Sequence, residues 1–468
     1  MSETKQYDVA IIGAGLAGIF AGYELTSNNP DVKVVILEQG TPIVERSCPI
    51  INKKVDSCIN CKPCAIMRGF GGAGAFSDGK FNFTTQFGGW LNDYLSDNEV
   101  MELIEYVDSI NQLFGATDEF FSTATPQADI IRRKAISFDL HLMDAKCKHL
   151  GTECNREILI KQAKWLGEHL DLSCGTKVEE ITLLKNGRYH LDTSAGSIEC
   201  KFLIAAPGRS GAEWFSNQCH KLNLPMINNQ VDIGVRVELP AIVFKDITDA
   251  MYEAKLLYRT RQYKDVVRTF CMNPYGHVVT ENTDGIITVN GHSYTDPSLR
   301  SENTNFALLV SNKFTTPFNE PYQYGKRIAS LSNMLGGGIM VQRFGDLLNG
   351  RRTNSHRMPQ GFVTPTLDAV PGDLSLVLPK RHLDNIIEMI HVLDKLAPGT
   401  ANQDTLLYGV EVKFYSARLG LTSELETSLP NFFAVGDGAG ITRGLSQAGA
   451  SGVQSARAIL KRIAFHKA

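Results

Sequence analysis

Charge of one sign is scarce in this chain. Its 47 Lys and Arg face 50 Asp and Glu, a formal net charge of −3 over 468 residues. That balance excludes a surface built to neutralise a phosphate backbone, so nucleic acid is not an expected partner. Long apolar runs are lacking too. The most apolar stretch near the start, residues 9–25, opens after Asp8 and breaks at Glu24. It falls short of the roughly 20 residues a membrane span requires and lacks the flanks of a signal peptide. Membrane insertion and export are not expected, and the expected location is cytoplasmic. No repeat and no low-complexity segment interrupts a composition that is 43% hydrophobic and 21% charged, ordinary for a globular chain. Ten cysteines are present, but a chain of this length needs no disulfides to build a core. The length itself suggests two or three domains.

What is there begins with a βαβ pattern. Tyr7 to Ile12 reads as a strand, Ala14 to Ser27 as a helix, and Val32 to Leu37 as a second buried strand. From Thr41 to Phe87 periodicity gives way to Gly, Cys and Pro, the signature of a long ordered loop serving a site. Residues 99–170 look mainly helical. Gly175 to Thr193 alternates across an Asn186-Gly187 turn and reads as a hairpin. Phe202 to Ala206 reads as a buried strand, residues 231–350 as short strands with turns, Leu383 to Leu396 as a helix, and residues 431–468 as strand, glycine-rich turn and helix.

Gly13-Ala-Gly15-Leu16-Ala17-Gly18 lies between the first strand and its helix. In such a turn Gly13 permits the tight bend, Gly15 lets the backbone approach a pyrophosphate, and Gly18 lets helix and strand pack closely. The helix N-terminus, with Leu16 and Ala17 in its first turn, then faces the phosphate charge. Glu38 ends the second strand, followed by Gln39. A carboxylate there can bind both ribose hydroxyls of an adenosine and would repel a 2′-phosphate.

Near the C-terminus, Asn431-Phe-Phe-Ala-Val-Gly436-Asp437 runs on through Arg443, Gly444 and Leu445 to Ala448. It resembles the second FAD motif of the glutathione-reductase-like flavoprotein superfamily. The resemblance implies that Asp437 holds the ribityl chain and that the amides near Leu445 to Gln447 point at the flavin N1–C2=O edge, where a helix dipole favours negative charge. Ile204-Ala-Ala206-Pro207-Gly208 resembles the superfamily's Ala-Thr-Gly motif, with Pro207 in place of Thr, and Val178 occupies the usual adenine-contacting position. Gly69-Phe-Gly71-Gly72-Ala73-Gly74-Ala-Phe-Ser77-Asp78-Gly79-Lys80, together with Gly291 to Tyr294 and Glu411 to Tyr415, is similar to a family of FAD-dependent dehydrogenases that itself specifies no substrate. Successive glycine amides can nest an anion, so this segment is expected to wrap the pyrophosphate or the flavin ring, with Lys80 either bonded to flavin or substrate or simply solvated.

Cys58-Ile-Asn-Cys61-Lys-Pro-Cys64, with Cys48 upstream, can converge on one metal. A ferredoxin-like iron–sulfur cluster, structural zinc, a redox disulfide and ordinary thiols all suit this spacing. Lys80, His292, Lys413 and Arg443 are the candidate catalytic residues. Arg443 is the foremost, since a cation beside the isoalloxazine would steady an anionic substrate or reduced flavin; His292 is equally readable as a structural histidine.

The expected fold is α/β. A Rossmann-like FAD-binding domain of glutathione-reductase type spans residues 1–235 and 400–468, including the Cys/Gly-rich loop 41–87, and a mixed α+β substrate domain spans 236–399. The expected function is an FAD-dependent oxidoreductase, a dehydrogenase or double-bond reductase passing hydride or electrons through flavin N5 to or from a small organic substrate. No second glycine-rich βαβ unit is present for NAD(P)H, so that reductant would bind transiently, or electrons would arrive from a partner protein. The alternatives are a flavin monooxygenase, whose Gly-Asp-Ala-Ala-His extension is missing here, and a non-enzymatic electron-transfer flavoprotein with a cysteine-bound metal.

Overall fold

The computed structural model describes every residue except 1–3, 53, 56–58, 60, 228, 284, 295, 315–316, 319, 414–415, 417 and 468. The chain divides into two compact units, residues 1–119, 147–229 and 415–468, and residues 120–146 and 230–414.

The first unit is built on a seven-stranded sheet. Its centre is parallel. Strand Lys5–Ile12 lies between Val34–Glu38 and Gly196–Ala205, and Asp171–Cys174 pairs outside Val34–Glu38. Val34–Glu38 is buried along its whole length, as expected of a strand covered on both faces. The later half of Gly196–Ala205 takes Phe432–Ala434 as a parallel neighbour, and its first half takes the hairpin strand Tyr189–Thr193. Helices Leu16–Asn28 and Leu445–Lys467 pack against each other. The region read as mainly helical resolves into helices Asp97–Leu113, Pro126–Ile136 and Thr152–His169 separated by short strands. Ser96 caps the first of these through a reciprocal box with Glu99.

The second unit is an eight-stranded sheet in the order Val370–Pro371, Met340–Arg343, Leu406–Lys413, Val231–Pro240, Asn303–Asn312, Val266–Asn273, Leu256–Arg259, Leu140–Leu142. Residues 120–146 cluster here because Leu140–Leu142 pairs with Leu256–Tyr258. Along Val231–Pro240 the apolar residues Val231, Ile233, Val235, Val237 and Leu239 enter one core with Phe244, Ile386 and Ile390 from helices Ala241–Met251 and Lys380–Leu396. The intervening Asp232, Arg236 and Glu238 face the other way and are also fully buried. That second face is partly covered by the hairpin His277–Thr283/Ile286–His292, whose Val278 and Val289 pack with Val341, Leu406 and Tyr408. Among the described residues no helix is long and apolar enough to cross a membrane.

Candidate functional site

The three glycines after the first strand differ sharply in their surroundings. A Cβ on Gly13 would stand 2.2 Å from the Ala206 carbonyl oxygen, and one on Gly18 would stand 2.0 Å from the Gly13 oxygen. Both are demanded by packing. A Cβ on Gly15 would meet nothing within 4 Å. Gly15 also starts helix Leu16–Asn28 with no side-chain cap and no acid in the first turn. The first amides of this helix therefore lie beside open space, as an anion site requires.

Glu38 is buried and engaged. Its carboxylate accepts from the amides of Ala14 (3.0 Å), Gly40 (2.8 Å) and Gly69 (2.9 Å). It thus ties the glycine turn to the glycine-rich loop, a role that sequence reasoning did not anticipate. A carboxylate has about four acceptor sites, so one remains for a ribose hydroxyl. Half-buried Gln39 follows it. The Thr176 amide donates to the Glu38 carbonyl (2.8 Å), which brings Val178, at the start of its strand, to this end of the sheet.

The loop 65–80 crosses the starts of helices Leu16–Asn28 and Leu445–Lys467. The Gly71 amide donates to the Ala14 carbonyl (2.7 Å), Gly72 approaches the Gly15 backbone, and Gly74 sits between Leu16 and Leu445, a Cβ there meeting each side chain at 2.9 Å. Gly72, Ala73 and Gly74 lie in a short 3-10 turn, Gly72–Phe76. The organiser of this loop is Arg46, which sequence reasoning missed. Its buried guanidinium donates to the carbonyls of Ala65, Ile66, Phe70 and Gly72 at 2.7–2.9 Å and lies 5.0 Å from the Phe76 ring. Burial pulls its pKa down to about 10. Nothing in the sequence sets it apart from Arg68 in the same loop.

After Ser77, whose hydroxyl donates to the Gly74 carbonyl (2.7 Å), Asp78 has two side-chain partners. His149 Nε2 lies 3.2 Å away and Lys80 Nζ 3.9 Å, with Lys80 opposite His149 in an antiparallel ladder. The Lys80 side chain is 10% exposed, so it is held in an ion-pair cluster with Asp78 beside Gly79 and is not a solvated surface lysine.

The C-terminal motif joins the same unit. Gly438 packs on Pro207 and Gly208, where a Cβ would stand 2.5–2.8 Å from their atoms, while Gly208 itself faces open space. Asp437, after Gly436, is half-buried. Burial raises its pKa, and Arg443, Arg209, the Thr442 hydroxyl (2.7 Å) and the Gly444 amide oppose that rise. Helix Leu445–Lys467 begins well beyond Asp437, so this carboxylate is not the cap of that helix. The segment Phe87 to Leu91, unmarked in the sequence, clamps the motif. The Arg443 amide donates to the Gly88 carbonyl and the Trp90 amide to the Ile441 carbonyl, both at 2.8 Å, and the Gln447 side chain reaches the backbone of Phe87 and Leu91. In the first turn of that helix, beside Ala448, the buried Ser446 hydroxyl has no partner among the described residues. A buried hydroxyl without a partner is costly unless a ligand takes it.

The remaining candidates lie in the second unit. His292 stands opposite His277 in the hairpin, and both rings meet Tyr294 edge-on at 4.7 and 5.8 Å. Lys413 is buried against Glu411 at 2.7 Å. Tyr415 and Cys58 lie outside the described residues. Cys48, Cys61 and Cys64 are free thiols, and among the described residues no three His, Cys, Asp or Glu side chains converge as a metal would require. The iron–sulfur and zinc expectations are therefore without support, and Arg46 provides the order in that loop.

Residues 230–414 match a family described as "FAD-dependent protein, C-terminal domain-like". No curated protein matches the chain significantly. Among solved structures, a glycine oxidase from Geobacillus kaustophilus is 12% identical, covering 98% of this chain and 95% of that one with a TM-score of 0.38. An L-proline dehydrogenase from P. horikoshii is 11% identical with the same coverages and a TM-score of 0.41. P. aeruginosa PqsL, in complex with 2-aminobenzoylacetate, is 9% identical, covering 98% and 87% with a TM-score of 0.42. At these TM-scores the likenesses carry no argument.

Proposed function

We propose that this chain is an FAD-dependent oxidoreductase, with a glutathione-reductase-type cofactor domain in the first unit and a substrate domain in the second; the match of residues 230–414 to a family described as "FAD-dependent protein, C-terminal domain-like" supports the reading. The observation that carries the cofactor assignment is the contrast between Gly13 and Gly18, locked by packing, and Gly15, bare at an uncapped helix start. The residues present fit FAD. Gly13 to Gly18 receive the pyrophosphate, Gly71 to Gly74 wrap it, and the last acceptor site of Glu38 takes a ribose hydroxyl. Gln39 and Val178 lie toward the adenosine end, and Ala206 and Gly208 complete the cradle. Asp437 takes the ribityl hydroxyls, which offset its burial. The amides of Leu445 to Gln447 and the unpartnered Ser446 hydroxyl meet the flavin pyrimidine edge.

FAD, when bound, supplies hydride or electron transfer at N5. What the chain adds is position and charge. Arg443 and Lys80 place cations beside the ring, with Asp78 and His149 holding Lys80, while Lys413 and His292 belong to the substrate side. A dehydrogenase or double-bond reductase acting on a small organic molecule is the reading we adopt, with NAD(P)H as a transient reductant. The test is direct: purified protein should absorb near about 450 nm and release FAD on denaturation. Protein that takes up no FAD on reconstitution would overturn the assignment.

A further inference from the structure

The loop between strand Val34–Glu38 and the glycine-rich segment carries a cysteine motif that the proposed cofactor site does not use. Its last two members differ in access. Cys61 is exposed, Cys64 is half-buried, and both are free thiols. An unpaired cysteine normally packs as a small apolar side chain, so packing gives no reason for a thiol at position 61. Cys64 is fixed in place. Its carbonyl accepts from the amides of Met67 (3.2 Å) and Arg68 (2.9 Å), and Arg46 holds the next two carbonyls, those of Ala65 and Ile66, at 2.7–2.9 Å. Between the two thiols the chain bends at Lys62 and Pro63. A bridge across two residues requires such a bend, since the Cα atoms of a disulfide stand only about 4.4–6.8 Å apart. The same loop leaves Val44, Ile51 and Ile59 57–63% exposed.

Thiol–disulfide exchange asks for this asymmetry: an accessible thiolate that attacks, and a second thiol close behind it that resolves the mixed disulfide. We propose that Cys61 and Cys64 form a dithiol that reduces disulfides borne by apolar peptide segments. The Cys61 thiol gives up its proton and its sulfur attacks one sulfur of the substrate; the substrate S–S bond breaks and one thiolate leaves, taking up a proton. The Cys64 thiol then gives up its proton and attacks the Cys61 sulfur. That step closes the intramolecular bond and releases the second thiolate, which is protonated in turn. Two electrons and two protons pass from the dithiol to the substrate. Val44, Ile51 and Ile59 supply the apolar contact for the flanks of a peptide disulfide. A single turnover uses no cofactor, so the proposal stands apart from the FAD assignment.

The experiment takes full-length protein, FAD-loaded and FAD-stripped, reduces it, removes the reductant and adds either the disulfide dimer of N-acetyl-leucyl-cysteinyl-phenylalanine amide or glutathione disulfide. Remaining thiols are counted by maleimide mass shift, and bridges are located by peptide mapping. Both protein forms should lose two thiols to a Cys61–Cys64 bridge, and the apolar peptide disulfide should act several-fold faster than glutathione disulfide. Cys61→Ser should slow this thiol loss by about tenfold or more, because the accessible nucleophile is gone. Cys64→Ser should stop at a mixed disulfide on Cys61, while Cys48→Ser and Cys58→Ser should react as the parent does. A bridge that uses Cys48 or Cys58, no mixed disulfide in Cys64→Ser, or glutathione disulfide acting as fast as the peptide would each overturn the proposal. Protein that takes up no FAD yet forms the bridge sinks only the oxidoreductase reading, and FAD-loaded protein that forms none sinks only this inference.

Discussion

Alanine at Gly15 should separate folding from cofactor binding. The residue sits at φ −75° and ψ 179°, a conformation alanine adopts freely, and an added Cβ meets nothing within 4 Å. Two small terms remain. Losing glycine at the start of a helix costs about 0.5–1 kcal/mol, and the lower entropy of the unfolded chain returns about 0.4–1 kcal/mol. The melting temperature of Gly15→Ala apoprotein should therefore move by no more than a few degrees. Bound pyrophosphate is another matter, because the methyl occupies the approach to the helix amides. Forfeiting one charge-assisted hydrogen bond costs about 1.5–3 kcal/mol, so FAD affinity should fall about tenfold to a hundredfold. Gly13→Ala is the control with the opposite balance. Its Cβ would stand 2.2 Å from a carbonyl oxygen at φ +101°, so strain and overpacking should cost about 3–5 kcal/mol in folding itself. Thermal melts of apoprotein and FAD titration by fluorescence quenching read the two effects apart. Gly15→Ala protein that binds FAD with parental affinity would refute the reasoning.

Arg46→Met removes the donors to four carbonyls and should destabilise the loop by about 2 kcal/mol or more, seen as faster limited proteolysis within residues 41–68; an unchanged cleavage rate would contradict it. Burial pushes the His382 pKa down to about 4. Between pH 6.5 and 4 the unfolded chain gains a proton that the folded chain refuses, so folding should lose up to about 3 kcal/mol as pH falls through that window and nothing above it. His382→Gln should flatten this slope in urea melts at pH 7 and 4.5, and an equal slope would sink the argument. Glu411→Gln leaves the buried Arg236 and Lys413 without their shared carboxylate and should destabilise by about 3–5 kcal/mol, whereas Arg236→Met, Glu411→Met and Lys413→Met combined should recover most of that loss; equal melting of the single and triple variants would show that the cluster is not what matters.

Much of the cofactor unit was legible along the chain because the signals are local. The positive φ of Gly13 and the contact of Gly18 with the Gly13 oxygen are local, and the apolar runs at Val34–Glu38 and Phe432–Ala434 report burial on both faces of a parallel sheet. Helix Lys380–Leu396 and the hairpin around Asn186-Gly187 were readable by the same local periodicity. The helical reading of residues 99–170 overreached, since strands of three or four residues, Leu140–Leu142 and Lys146–His149, carry too little pattern to register.

Sequence alone determined where a strand must turn into a helix without a side chain in the way, because bond geometry and Cβ sterics settle that within a few residues. It could not determine what each charge would find. Glu38 meets Gly69, Arg46 meets four carbonyls, Lys80 shares Asp78 with His149, Gln447 clasps Phe87, and Arg236 shares Glu411 with Lys413. Most of these partners are tens to hundreds of residues apart. Their pairing follows from the order of strands in two sheets and from the cost of burying a polar group unpaired, which only the folded chain decides.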